Sequence, residues 1–171
     1  TTRRGTALTA SAHPLDIVIM AAGKGTRMKS ARPKVLHTLA GRPMLAHVIQ
    51  ACAGLGARRI HVITGHGADQ VETAMAAHAA GLPLQFVRQE PQLGTGHAVQ
   101  QAVPHLRDDG TAVVLSGDVP LTQADTLRAL VAASGAQVLS LVPSHHDHAI
   151  GEAIGIRLEL DHLIAFRREP A

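Results

Sequence analysis

The sequence predicts an α/β fold of the Rossmann-like type, with a mostly parallel sheet and helices on both faces. Short apolar runs of strand length recur along the chain, and helical patterns lie between them. Strands that alternate with helices are typical of βαβ units, whose crossovers place parallel strands side by side. Hydrophobic residues make up 46% of the chain and charged residues 17%, a composition typical of a globular protein with a core.

The individual elements follow from apolar runs and their spacing. The predicted strands cover residues 16–21, 60–64, 84–87, 111–116 and 137–142. The predicted helices cover residues 43–55, 68–79, 95–103 and 122–133. The first helix has Pro43 in its first turn and Gly56 as a C-terminal cap. Near the C-terminus, "IRLEL" and "HLIAF" flank Asp161 and predict a small antiparallel hairpin.

Length and composition limit the possible classes of protein. A chain of 171 residues suits one domain, which we place at residues 15–171, after a lead-in over residues 1–14 that is disordered or left from cloning. No apolar run approaches the ~20 residues that span a bilayer, so no membrane partner is expected. Cys52 is the only cysteine, so an internal disulfide is excluded and a cytoplasmic location is expected.

The net charge of +3 raises the question of a nucleic-acid partner. Trp and Tyr are absent and only two Phe residues remain, so the chain has no aromatic platform on which bases could stack. The cations also cluster in one loop instead of along one face of a helix. Nucleic acid is therefore not expected as a partner.

The ligand site is predicted from the sheet itself. In open parallel sheets, ligands bind outside the carboxyl ends of the strands. The loops at those ends are Ala22–Lys34, Gly65–Ala68, Gln89–Gly96 and Gly117–Pro120. The unusual stretches of the sequence lie in these loops.

The first of these loops, "AAGKGTRM", matches neither common phosphate-binding motif. It lacks the third glycine of the dinucleotide fingerprint and the Gly-Lys-Ser/Thr of the P-loop. Gly23 and Gly25 have no Cβ, so their backbone N–H groups can approach an anion closely. Lys24, Arg27 and Lys34 add positive charge, which predicts a bound nucleoside triphosphate. The alternative is a solvated basic loop without a ligand.

Two further loops add chemistry to this one. In "VVLSGDVPL", Asp118 comes just after a buried strand, where a carboxylate could hold Mg²⁺ together with substrate phosphates. Asp118 could instead cap the next helix, although Thr122 is the better candidate for that cap. In "RQEPQLGTGHA", the amide of Gln89 and the backbone near Gly94 could match the edge of a pyrimidine, or could simply connect a strand to a helix.

Four motifs taken together resemble one family. "MAAGKGTRM", "RPKVLHTLAGRPMLAHV", "QEPQLGTGHA" and "LSGDVPL", in this order, are similar to the uridylyltransferase domain of bacterial bifunctional N-acetylglucosamine-1-phosphate uridylyltransferase/glucosamine-1-phosphate acetyltransferases. The resemblance covers about residues 16–141. It implies a nucleotide-diphospho-sugar transferase fold and a Mg²⁺-dependent reaction of UTP with N-acetylglucosamine 1-phosphate. The products would be UDP-N-acetylglucosamine, a cell-wall precursor, and pyrophosphate.

The resemblance also implies roles for individual residues. Arg27 and Lys34 would be catalytic, because they would stabilise charge on the departing pyrophosphate. Asp118 would bind Mg²⁺, and Gln89 would read uracil with the residues that follow it. The expected substrate-binding residues are Ala22, Gly23, Lys24, Gly25, Gln89, Gly94, Thr95, Gly117, Gly155 and Glu169. Of these, Gly155 and Glu169 rest on rough matches to the sugar-contacting segments.

The chain also departs from the family pattern. A second metal ligand of the family, an Asn, has no counterpart before Ala171, and the β-helix that carries the acetyltransferase is absent. Because that β-helix largely builds the family's trimer, a monomer is expected. Two alternatives stay open: a nucleotidyltransferase for another sugar 1-phosphate or NTP, and a non-catalytic nucleotide-binding fragment. The histidines of "SHHDH" (144–148) predict a solvated loop and no zinc site.

Overall fold

Seven strands build the computed structural model, which describes residues 14–25, 28–79, 81–133 and 164–167. The strands are β1 (Leu15–Met20), β2 (Thr38–Leu39), β3 (Arg42–Pro43), β4 (Arg59–Thr64), β5 (Leu84–Arg88), β6 (Thr111–Ser116) and β7 (Ile164–Arg167). Five of them form the main sheet in the order β5-β4-β1-β6-β7. The first four are parallel, and β7 pairs antiparallel with β6. Strands β2 and β3 form a separate antiparallel hairpin.

Helices cover both faces of this sheet, as the sequence predicts. They are α1 (Met44–Cys52), α2 (Ala68–Ala76), α3 (Thr95–Ala102) and α4 (Ala124–Ala133). On one face, alternate residues of β1 join a core with buried side chains of α1, α2 and α4. On the other face, the intervening residues of β1 pack with Ala98 and Ala102 of α3. All six residues of β1 are buried, which is typical of a central parallel strand.

The predicted elements agree with the structure apart from their ends. Helix α1 ends at Cys52, before the expected residue 55, because Gly54 is a poor helix former and Gly56 adopts a positive φ of 67°. The predicted strand 137–142 and the run "IRLEL" lie outside the described residues. The run "HLIAF" overlaps β7, whose described partner is β6. The division at residue 15 stays a prediction.

None of the described helices is both long enough and apolar enough to cross a bilayer.

An ion-pair cluster closes the end of the sheet where the strands begin. The carboxylate of Asp16, which is 3% exposed, pairs with the guanidinium of Arg58, whose Nε donates to Asp16 Oδ1 at 3.2 Å. Arg58 Nη1 also donates to Asp109 Oδ1 at 2.8 Å. A buried carboxylate needs such a partner because desolvation penalises its charge. Arg58 therefore ties the start of β1 to the segments that lead into β4 and β6.

His61 of β4 is a buried titratable group on the α3 side of the sheet. Its side chain is 1% exposed, and neither ring nitrogen has a hydrogen-bond partner among the described residues. Its ring stacks on that of His105, with 5.9 Å between the ring centroids. Burial lowers the pKa of His61 below its ordinary value, and the nearby charge of Asp16 only partly opposes this effect. The folded protein therefore holds His61 neutral.

This burial predicts a pH-dependent stability. Below about pH 6.5 the unfolded chain binds a proton at His61 that the folded chain resists. The free energy of unfolding therefore decreases as the pH is lowered, by up to ~1.4 kcal/mol per pH unit. Substituting His61→Leu removes this contribution and flattens the profile between pH 7 and 5. Urea titrations across that range measure the slope.

An exposed histidine provides the matched control for this measurement. His66 is exposed in the loop after β4, and His66→Asn is expected to keep the wild-type slope. An unchanged slope in His61→Leu would contradict the prediction.

Candidate functional site

A cleft of about 440 Å³ lies at the carboxyl ends of β1, β5 and β6. This is the edge at which an open parallel sheet binds its ligands. The residues that line the cleft come from the loops after these three strands, from the strand ends and from α3. They are Met20, Ala21, Ala22, Gly23, Gly25, Met28, Lys34, Val35, Gln89, Gln92, Gly94, Thr95, Ala98, Ser116 and Asp118.

The glycine loop after β1 depends on a close approach between Gly25 and Lys34. Gly25 has a φ of 60°, and a Cβ placed on it would lie 2.7 Å from Lys34 Cβ. Only glycine avoids both the backbone strain and this contact. At Gly23, in contrast, a Cβ would meet nothing within 4 Å. The close approach at Gly25 brings Lys34 back to the cleft.

Lys34 and Asp118 form an ion pair across the cleft wall. Lys34 begins a short 3₁₀ turn, Lys34–Leu36, and its Nζ donates to Asp118 Oδ2 just beyond β6. The hydroxyl of Ser116 donates to the other carboxylate oxygen, Oδ1. Burial alone would raise the pKa of Asp118, but the hydrogen bonds from Lys34 and Ser116 and the charge of Lys34 outweigh it and hold the pKa below its ordinary value. Asp118 is therefore an anion at neutral pH.

The loop after β5 is organised around the buried side chain of Gln89. The backbone N–H of Gln89 donates to Thr64 O at 2.8 Å, which continues the pairing between β5 and β4. Its side-chain Nε2 donates to Gly94 O at 2.8 Å and lies 3.1 Å from His97 Nδ1. Gly94 precedes α3 with a φ of 93°, a conformation that favours glycine. The hydrogen bond from Gln89 thus holds the end of this loop in place where α3 begins.

Gly65 joins the loops after β1, β4 and β5. A Cβ at this position would lie 2.9 Å from Ala22 Cβ and 2.8 Å from Gln92 Nε2. The backbone N–H of His66 also donates to Ala22 O at 3.3 Å. Because Gly65 has no side chain, the loops after β1 and β5 can both lie against the loop after β4.

The donor set suits a divalent cation that is shared with a ligand's phosphates. Mg²⁺ in nucleotide sites typically uses one or two carboxylates and takes its other ligands from phosphate and water. Asp118 is an ionised carboxylate at the cleft wall, and Ser116 lies beside it. Among residues 14–25, 28–79 and 81–132, no group of three or more His, Cys, Asp and Glu side chains could hold a metal by itself. A metal at Asp118 would therefore need the phosphates of a ligand.

The structure brings together most of the residues that the sequence nominates. Those that line the cleft are Ala22, Gly23, Gly25, Lys34, Gln89, Gly94, Thr95 and Asp118. Lys24 is exposed and is not a lining residue. Gly117 is not a lining residue either, and its N–H donates to Met20 O at 2.9 Å. Arg27, Gly155, Glu169 and the histidines of 144–148 lie outside the described residues.

Ser116 and Gln92 of the cleft, and His97 beside Gln89, were not nominated from the sequence. Ser116 could have been found, because it ends the strand that leads to Asp118 and alternation places every second residue on one face. Gln92 lies in a nominated loop, but its amide gave no signal beyond that of Gln89. His97 follows from the hydrogen-bond geometry alone.

A parallel sheet with a glycine loop, a buried Gln and a Lys–Asp pair at its carboxyl edge defines an α/β domain of the nucleotide-binding type. The chain matches the family described as "MobA-like NTP transferase domain" over residues 17–169. It belongs to this family.

Solved structures agree with this assignment. A nucleotidyl transferase from Methanothermobacter thermautotroptrophicus is 25% identical with a TM-score of 0.58, covering 71% of this chain and 57% of its own. HddC from Yersinia pseudotuberculosis is 27% identical with a TM-score of 0.55, over 60% of this chain and 47% of its own. Rv0371c from Mycobacterium tuberculosis H37Rv, 22% identical, shares the fold with a TM-score of 0.60 over 72% of this chain and 61% of its own.

Curated relatives confirm the resemblance of the sequence motifs. "Bifunctional protein GlmU" of Methylibium petroleiphilum is 67% identical over 128 residues, which is 75% of this chain and 28% of that protein. The protein of the same name from Paracidovorax citrulli is 67% identical over 128 residues, 75% of this chain and 27% of its own length. The chain therefore spans about 28% of the first of these relatives.

The two glycines of the β1 loop yield a prediction about stability. Gly25→Ala introduces a strained φ and a contact with Lys34 Cβ, so we expect it to lower the free energy of unfolding by about 1–3 kcal/mol. Gly23→Ala meets no neighbour, so it is expected to leave the stability within about 1 kcal/mol of wild type. Urea unfolding of the two variants measures the difference, and equal effects would refute this account of the loop.

Proposed function

We propose that this chain transfers a uridylyl group from UTP to N-acetylglucosamine 1-phosphate, giving UDP-N-acetylglucosamine and pyrophosphate for bacterial cell-wall synthesis. The observation that carries the proposal is the Lys34–Asp118 pair beside a glycine loop in a cleft of about 440 Å³. The 67% identity to bifunctional GlmU proteins and the uridylyltransferase motifs support the choice of substrates.

The proposed reaction needs positioning more than covalent chemistry. An oxygen of the sugar phosphate attacks the α-phosphorus of UTP in line, and the bond from that phosphorus to the bridging oxygen breaks as pyrophosphate leaves. The attacking oxygen is already ionised, so no general base is required. The protein must therefore bring two anions together and stabilise the charge that moves to pyrophosphate.

The described residues have the properties that these tasks require. The backbone of Gly23 and Gly25 can approach the phosphates, and the ammonium of Lys34 supplies positive charge beside them. We place Arg27 in the same role, and Lys24 and Gly117 at the edge of the phosphate site. Bound Mg²⁺ would offset phosphate charge, and Asp118, ionised and held by Ser116, is the residue that we propose as its ligand.

We assign uracil to the loop of Gln89, Gly94 and Thr95, which adjoins α3 and lines the cleft. We assign the sugar to Gly155 and Glu169, which lie outside the described residues. A cytoplasmic location and the absence of nucleic-acid and membrane partners belong to the same proposal, as does a zinc-free "SHHDH" loop.

A second candidate function uses the same site with a different base. The solved structure of HddC from Yersinia pseudotuberculosis in complex with GMP-PN is 28% identical to this chain, with a TM-score of 0.53. A purine nucleotide therefore fits a related fold. Substrate competition separates the two candidates, because release of pyrophosphate from GTP or ATP instead of UTP would favour the second.

Substitution of Asp118, the proposed metal ligand, tests the proposed function. We expect Asp118→Asn to lower pyrophosphate release from UTP and N-acetylglucosamine 1-phosphate by roughly 100-fold or more, because the amide loses the charge that would hold Mg²⁺. The assay is run beside glucose 1-phosphate and the other NTPs.

The matched control is Asp125→Asn on α4, whose carboxylate is 95% exposed and pairs only with a surface arginine among its described neighbours. This variant should keep wild-type turnover. Circular dichroism of both variants checks that they are folded. Turnover by Asp118→Asn within threefold of wild type would contradict the assigned role.

A further inference from the structure

A chain of polar contacts runs from the loop after β5 into α3. Gln89 Nε2 donates to Gly94 O at 2.8 Å and lies 3.1 Å from His97 Nδ1. The other ring nitrogen, His97 Nε2, lies 3.0 Å from Gln101 Nε2, one turn further along α3. Three side chains and one carbonyl are therefore linked in sequence.

The carbonyl of Gly94 fixes the direction of this chain. A carbonyl oxygen only accepts hydrogen bonds, so the atom of the Gln89 amide that faces it must be the nitrogen. The reversed amide would set its own oxygen against Gly94 O. Gln89 therefore directs its NH₂ group toward Gly94 and α3.

The direction of Gln89 determines which nitrogen of His97 carries the hydrogen. The second N–H of the Gln89 amide points to His97 Nδ1, so this ring nitrogen accepts. A neutral imidazole with an accepting Nδ1 carries its hydrogen on Nε2. That N–H needs an acceptor, which the Gln101 amide provides when it turns its oxygen to the ring. In the structure Gln101 Nε2 faces the ring and lies 3.5 Å from His97 O, a longer contact than the 2.8 Å bond that fixes Gln89, so Gln101 is the amide that turns. Every hydrogen of the Gln89 amide and of the His97 ring then has an acceptor.

The orientation of Gln89 determines which atom of its amide can meet a ligand in the cleft. Gln89 lines the cleft yet is only 3% exposed, and both hydrogens of its amide are used by Gly94 and His97. The oxygen is then the atom of this amide that can meet a base, and it accepts. Uracil presents an N–H donor at N3, whereas cytosine presents an acceptor there. An accepting Gln89 favours uracil.

We propose that His97 is a positioning residue that, together with Gly94 O, holds the amide of Gln89 in one orientation and so makes the cleft prefer uridine over cytidine nucleotides. This inference rests on the proposed use of UTP. It assigns the preference to a side chain in the first turn of α3 that acts through Gln89. A merely structural role for His97 would change the affinity for both nucleotides equally.

The test compares UTP and CTP binding by calorimetry in wild type, His97→Leu and His97→Asn. Leucine cannot accept the Gln89 hydrogen, so the preference for UTP over CTP should fall by roughly tenfold. Asparagine offers an accepting oxygen near the position of Nδ1, so most of the preference should be rescued. His78→Leu, in the turn after α2, is the control and should keep the wild-type ratio.

A second readout requires no nucleotide. Long-range ¹H–¹⁵N spectra of labelled, ligand-free protein are expected to show His97 with its hydrogen on Nε2. A hydrogen on Nδ1, or an unchanged UTP-to-CTP ratio in His97→Leu, would overturn the inference while UTP remained the substrate. A wild-type protein that shows no preference for UTP would instead overturn the proposed substrate, and the base selection with it.

Discussion

The burial of β1 on both faces is the constraint on which the rest of the structure depends. A strand in this position must pair with a neighbour on each side, and β4 and β6 supply those neighbours in parallel register. Parallel pairing brings the carboxyl ends of three strands to one edge, so the loops that follow them must meet there. The site therefore exists because the core demands this strand order. The buried Asp16–Arg58 pair secures the opposite end.

The loops at this edge of the sheet differ in the charge that they carry. The β1 loop carries exposed cations and two glycines, the β6 loop carries one ionised carboxylate, and the β5 loop presents the neutral amides of Gln89 and Gln92 to the cleft. The Lys34–Asp118 pair joins two segments that lie 84 residues apart in the chain. Because the lysine neutralises the carboxylate, neither charge is left without a counterion inside the cleft wall.

The fold was more predictable from the sequence than the site was. Apolar periodicity predicted five strands and four helices, because core burial repeats along the chain with the period of each element. The four strands and the four helices that fall in the described residues are present there. The glycines around α1 ended that helix earlier than its apolar pattern indicated. Three of the four nominated loops line the cleft, since the rule for parallel sheets needs only their position, whereas no residue of Gly65–Ala68 lines it. The Gly25–Lys34 contact, the unpaired ring of His61 and the orientation of Gln89 depend on rotamers and long-range packing, which no local pattern encodes.

The contact of Gly65 with Ala22 and Gln92 has a consequence for how such a cleft can diversify. A side chain added at residue 65 would press on Ala22, whose Cβ and O would lie 2.9 and 3.1 Å from the added Cβ, whereas the flexible amide of Gln92 could swing aside. A larger residue at position 65 therefore requires a shift of the loop after β1. Because Ala22 lines the cleft and Gly65 does not, variation at position 65 would reshape the cleft from outside its lining.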